Sequence, residues 1–172
     1  MDTNIFSVED GGLKFTQDGL IQNFKDKYDA SDNTWSTLAA PGTVLEKARE
    51  GKGLLPAQMQ IYLRSGIGKM VHVMQWGRPE ISHSVRNMVK LMGQGNYKAI
   101  DVMHTCMTHC VDMTNCGVTL RPHGNWDGTK DFKFIVSGRS DSDYAKDLDM
   151  MQSVTGARVS VNGAMPQWRS AT

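Results

Sequence analysis

No stretch of this 172-residue chain is long and apolar enough to span a membrane. Its opening, Met1 to Phe15, lacks the basic start and apolar block of a secretory signal. Together these absences predict an intracellular chain, cytoplasmic or nuclear, with no signal peptide and no membrane partner. Cysteine is scarce and badly placed for bridging: Cys106, Cys110 and Cys116 are an odd number within one short stretch, which excludes a disulfide framework and predicts reduced thiols. Carboxylates run out early. No Asp or Glu follows Asp149, and no two aspartates are adjacent anywhere. Internal repeats and low-complexity tracts are also lacking.

What is present is ordinary in amount but uneven in placement. Apolar residues are 40% of the chain and charged ones 22%, with a mean hydropathy of −0.40, as in globular proteins. The length suits one domain or parts of two. The net charge is only +1, yet residues 1–51 hold five Lys/Arg against nine Asp/Glu, residues 52–123 eight against three, and residues 124–172 six against six. The middle third also carries all five histidines. A helical unit built from it could present a positive face to phosphates, although a solvated basic face is the commoner outcome.

The pattern of apolar residues predicts helices first and strands afterwards. Leu13 and Phe15 form a short strand, followed after Gln17-Asp18-Gly19 by a helix over 18–28 with Leu20, Ile21, Phe24 and Tyr28 on one side. Residues 30–53 are rich in Asp, Asn, Thr, Pro and Gly and read as a linker. Pro56 opens a helix ending near Gly77, with Ile61, Tyr62, Ile67, Met70, Val71 and Met74 as its apolar positions, interrupted by Gly66 and Gly68. Pro79 then begins a helix through Ile81, Val85, Met88, Val89 and Met92. Gly93 and Gly95 stop it. Asn96 caps the next, whose stripe is Ile100, Met103, Met107 and Cys110. Past Gly117 the texture becomes β-branched: strands are expected at Val118–Leu120, Phe132–Val136 and Arg158–Val161, with Asn162-Gly163 as a two-residue hairpin turn and Met165–Arg169 returning.

Three segments resemble, in order, the copia-type retrotransposon polyprotein. The run SDSDYAKDLD at 140–149, followed by Ser153, Thr155-Gly156 and NGAMPQWRS at 162–170, is similar to that family's SDADWAGDLD, KSTSG and GGAPISWRS. Tyr62 to Met92 is similar to its YRSLVGSLLYLATTRPDIAYAVSRLSQFM, with Arg78-Pro79-Glu80-Ile81 standing for Arg-Pro-Asp-Ile. Phe15 to Asp32 resembles the family helix that precedes a TP...PG linker, matched here by Thr37 to Gly42. The family's basic helix WKAAKRILRYLKGT appears as NYKAIDVMHTCMTHCVDMTN, which keeps Tyr97-Lys98-Ala99 and loses most of the charge.

The resemblance implies the C-terminal part of a reverse transcriptase joined to the start of a ribonuclease H. The fold class expected is α+β: a helical thumb- or connection-like region over about 15–114, then a partial antiparallel ribonuclease H-like β-meander. Residues 1–53 would be the end of the polymerase palm and a linker, 54–123 the helical region and 124–172 the nuclease start, with the boundary near 124–131. The parent activity is RNA-directed DNA synthesis with cleavage of the RNA·DNA hybrid, using magnesium. Asp141 is the position that would be catalytic and bridge the metal ions, with Asp143 a neighbour. Because two-metal cleavage needs several carboxylates on separate elements, and the family's others lie in a downstream Ser-Thr-Glu-Ala-Glu-Tyr helix and beyond, the implied Mg2+ site is incomplete. The polymerase's Tyr-x-Asp-Asp turn is likewise missing.

This chain would then contribute grip on nucleic acid as part of the polyprotein. Charge alone nominates Arg64, Lys69, Arg86, Lys90 and Lys98 as phosphate contacts. The rival expectation is a non-enzymatic, domesticated remnant acting as a protein- or nucleic-acid-interaction module. His104, Cys106, His109, Cys110 and Cys116 are zinc-ligand types, but Cys106 and Cys110 lie one helical turn apart beside Met103 and Met107, which favours packing. Gly66-x-Gly68-Lys69 lacks the spacing and hydroxyl of a phosphate loop. Trp168-Arg169 could stack on a base, though packing is the commoner role.

Overall fold

The computed structural model describes residues 3–9, 11–30, 38, 45–48, 53–121, 123, 131, 133–147 and 152–171. The chain is α+β, as expected, and divides into two units: residues 1–4 with 16–117, and residues 5–15 with 118–172. Residues of the expected first segment, 1–53, therefore contribute to both units. The linker expected at 30–53 and the boundary expected near 124–131 lie mostly outside the described residues. No helix among the described residues is long and apolar enough to cross a membrane.

The first unit is helical. Helix α1 (Asp18–Tyr28) buries Leu20, Ile21, Phe24 and Tyr28, the face that its spacing predicts. Helix α2 (Ala57–Trp76) runs uninterrupted through Gly66 and Gly68. Its buried line is Leu63, Ile67, Met70 and Val73, which keeps the expected Ile67 and Met70 but not the rest: Ile61 is exposed, and Tyr62, Val71 and Met74 lie at the margin of the core. The reason is Gly66, whose missing Cβ would meet the Met103 sulfur at 2.2 Å. Close approach at Gly66 turns that face of α2 to the core.

The helix expected from Pro79 is shorter and begins as a 3-10 turn, Pro79–Ile81, before α3 (Ser82–Val89). Ile81, Val85, Met88 and Leu91 enter the core, while Val89 is exposed. Asn96 caps α4 (Tyr97–Asp112) as expected, its side-chain oxygen accepting from the Ala99 amide at 2.9 Å. Helix α4 buries Ile100, Met103, Cys106, Met107 and Cys110.

The second unit consists of two antiparallel sheets. Strands β1 (Asn4–Ser7), β2 (Leu13–Thr16) and β3 (Val118–Leu120) form one in that order, with Leu13 opposite Leu120 and Phe15 opposite Val118. Strands β4 (Val136–Asp147), β5 (Gln152–Val161) and β6 (Ala164–Ala171) form a meander. Asn162 and Gly163 join β5 to β6 with φ of 47° and 83°, the positive pair that a two-residue hairpin turn requires. The strand expected at Phe132–Val136 begins only at Val136 and runs on through the SDSD segment. That extension escapes pattern reading because residues 136–142 are exposed and Ser137 to Asp143 carry no apolar side chain, so apolar alternation is absent and pairing with β5 supplies the order.

Candidate nucleic-acid interface

The five cations nominated by charge belong to the helical unit and do not point one way. Arg64 is exposed on α2, and its Nε donates to the Met92 carbonyl at 2.6 Å. That carbonyl also accepts from the Gln60 side chain at 2.6 Å, so Arg64 helps to pin the turn before α4. Lys69, five residues along α2, is directed to α1: its Nζ donates to Asn23 at 2.5 Å and lies 4.8 Å from the centre of the Tyr28 ring. Arg86 is half-buried on α3, its Nη2 donating to Asn87 at 3.1 Å, while its Nε and Nη1 are enclosed without a partner among the described residues. Lys90 is half-buried just past α3, and Lys98 is exposed in the first turn of α4.

Arg78, a position of the Arg-Pro-Glu-Ile motif, is the most deeply enclosed cation among the described residues. It is 2% exposed. Its Nη1 donates to the carbonyls of Cys110 at 3.2 Å and Met113 at 3.1 Å, and its Nε pairs with Glu80. A guanidinium at the C-terminal end of α4 satisfies carbonyls that the helix leaves open and opposes the negative end of its dipole. The Arg78-Pro79-Glu80-Ile81 motif is thus a structural clamp between the α2–α3 junction and α4. Its spacing before Pro79 was the only signal available.

Cys106 and Cys110 are fully enclosed in the core, and Cys116 is half-buried beyond α4. The hydrogen bond with Cys110, then burial, pushes the Cys106 thiol well above its ordinary range. A thiol held protonated is neither nucleophile nor good metal ligand at neutral pH. His104 makes a 2.8 Å hydrogen bond with the Tyr62 hydroxyl, and the Tyr62 ring lies 4.9 Å from that of Tyr28. Burial lowers the His104 pKa against the opposing influence of Asp101 and Asp29.

Asp141 lies midway along β4, exposed and opposite Gly156 of β5, beyond the strand expected at Phe132–Val136. Among the described residues no group of three His, Cys, Asp or Glu converges on a common point. Magnesium-dependent two-metal cleavage needs further carboxylates beside Asp141.

Sequence reasoning missed an open groove of about 490 Å³ on the same hairpin. The Ser137 and Ser160 hydroxyls, 2.8 Å apart, meet in it. Arg139 and Arg158, directly opposite each other, line one part, and Lys133 and His123 also border it. At the turn, Asn162 exchanges hydrogen bonds with Ile135: the Ile135 amide donates to the Asn162 side chain at 2.8 Å, and the Asn162 amide to the Ile135 carbonyl at 2.8 Å. The signal was in the sequence as Lys133, Arg139 and Arg158, but only the register brings them together.

The chain is an α+β protein with one helical unit around an apolar core and a separate antiparallel unit displaying basic side chains. No protein-family model, curated protein or solved structure matches it.

Proposed function

We propose that this chain is a nucleic-acid-gripping piece of a copia-type reverse transcriptase and ribonuclease H polyprotein, catalytically incomplete alone. The observation that carries the reading is the setting of Asp141. It lies in the first strand of a three-stranded antiparallel meander that follows a helical unit, the order that the three motif segments imply. Gly156, facing it across the strands, puts no side chain over the carboxylate. Arg64 and Lys98, exposed in the helical unit, remain the best placed of the nominated cations to meet phosphates.

The test is binding of an RNA·DNA hybrid by the intact chain and by an Arg64→Gln/Lys98→Gln variant, alongside cleavage assays with magnesium. The reading expects the variant to bind more weakly, by about 1–2 kcal/mol, and no cleavage by either protein. Magnesium-dependent cleavage abolished by Asp141→Asn would show a complete nuclease site and refute the incompleteness.

A second reading, a protein-interaction module, is favoured by one observation: Phe134, Ile135 and Val136 are consecutive and 62–70% exposed. Self-association insensitive to salt would support it.

A further inference from the structure

Three side chains form a row straight across the meander. Arg139 of β4 is paired with Arg158 of β5, and Arg158 with Trp168 of β6. Directly paired residues of an antiparallel sheet project from the same face, with Cβ atoms about 5 Å apart. Two arginines in that relation repel each other, and neither takes part in an ion pair among the described residues. Both are exposed, and Trp168 is half-buried beside them.

We infer that this face binds a single polynucleotide strand, with Arg139 and Arg158 on its phosphates and Trp168 stacked on a base. The inference stands apart from the grip proposed for the helical unit, because it uses none of the same residues. A phosphodiester relieves the repulsion that the unliganded pair carries, and two guanidinium forks match phosphate oxygens in geometry. The groove continues the cationic face past Ser137 and Ser160 to Lys133. Lys133 adds a third cation to the two arginines along the groove, more positive charge than one isolated phosphate balances. The row therefore suits a polymer of phosphates better than a free anion. An indole in line with the cations supplies a platform that tolerates any base, and basic grooves with aromatic platforms are the usual chemistry of single-strand binding. An acidic peptide would leave that platform without a role. Asp141, two residues along β4 from Arg139 and opposite Gly156, bounds the face at its other end.

The experiment uses the full chain and a fluorescently labelled, mixed-sequence single-stranded DNA, read by anisotropy at several salt concentrations. The probe is titrated against wild type, Arg139→Gln/Arg158→Gln and Trp168→Leu, with inorganic phosphate and poly-glutamate as competitors. The double variant is expected to lose about tenfold in affinity per arginine. Its salt slope should fall by about 0.7 per lost phosphate contact. Trp168→Leu should weaken binding about tenfold with the slope unchanged. Circular dichroism checks that each variant is folded, and replacing two facing arginines by glutamine removes repulsion, so the double variant should keep its fold. Should Trp168→Leu fail to fold, quenching of Trp168 fluorescence by the oligonucleotide, in a chain with the other tryptophans replaced by phenylalanine, reads the stacking directly. Unchanged affinity and slope in the double variant would overturn the inference even if a hybrid still binds through Arg64 and Lys98. Full displacement by millimolar phosphate would reduce the site to a simple anion site, and preferential displacement by poly-glutamate would make it a peptide site; either result also overturns it.

Discussion

Gly66 and Gly68 are two residues apart on α2, and a methyl group added to each meets opposite surroundings. At Gly66 it collides with the Met103 sulfur and comes within 3.1 Å of the Met107 methyl; at Gly68 nothing lies within 4 Å. Gly68→Ala should stabilise the chain by about 0.5–1 kcal/mol through helix propensity alone. Gly66→Ala gains the same but overpacks the core, for a net loss of about 1–2 kcal/mol. Urea unfolding of the two variants checks the contrast, and equal shifts would show that α2 and α4 do not meet at Gly66. Arg78→Met should lose about 3 kcal/mol, because carbonyls of Cys110 and Met113 lose a charged donor.

His104 gives a pH signature. Burial depresses its folded-state pKa below the ordinary 6.5, so the unfolded chain binds the proton more readily. Stability is full above 6.5 and falls as the pH drops below it. His104→Gln should flatten that part of the profile, measured as Tm against pH from 7.5 to 5. Of these residue-scale features, the buried faces of α1 and α4 were legible in the sequence because their apolar spacing is regular. The roles of Gly66 and Arg78 were not, since a close contact and an enclosed guanidinium both depend on a helix distant in sequence.

Among elements, those with a chemical boundary signal were legible. Asn96 predicts the start of α4 because its side chain can serve an amide that the helix leaves open, and Asn96→Ala should cost about 1 kcal/mol. Asn162-Gly163 predicts the β5–β6 turn because both residues tolerate positive φ. Gly163→Ala should weaken that hairpin by about 1–2 kcal/mol from backbone strain alone, and a Cβ there would also strike the His123 ring. Loss of cross-strand nuclear Overhauser contacts between β5 and β6 would report the weakened turn. Strand β4 was misplaced because its polar run, Ser140 to Asp143, carries no period-two alternation. Its order comes from pairing, and so does the row of Arg139, Arg158 and Trp168. A candidate site made by register cannot be read from one strand at a time.

At the scale of the molecule, the two units differ in how they are held. Among the described residues the buried apolar side chains lie between Leu20 and Val111, and in the second unit none larger than glycine is fully buried. Amides of α2 and α4 should therefore exchange with solvent far more slowly than those of β4–β6, as hydrogen-exchange mass spectrometry can measure. Charge is divided in a similar way: helical cations such as Lys69 and Arg78 are engaged inside their own unit, while Arg139 and Arg158 face outward. The uneven charge of the sequence pointed to the middle third and overlooked the end, where six cations balance six acids. Net charge by segment conceals a basic face wherever acids and bases occupy different faces. The measurement that tests the central claim most directly is the affinity of the intact chain for an RNA·DNA hybrid as salt is raised. A grip on phosphates through Arg64 and Lys98 predicts that log K falls linearly with log salt, with a slope of about −2. Absent binding, or an affinity indifferent to salt, would contradict it.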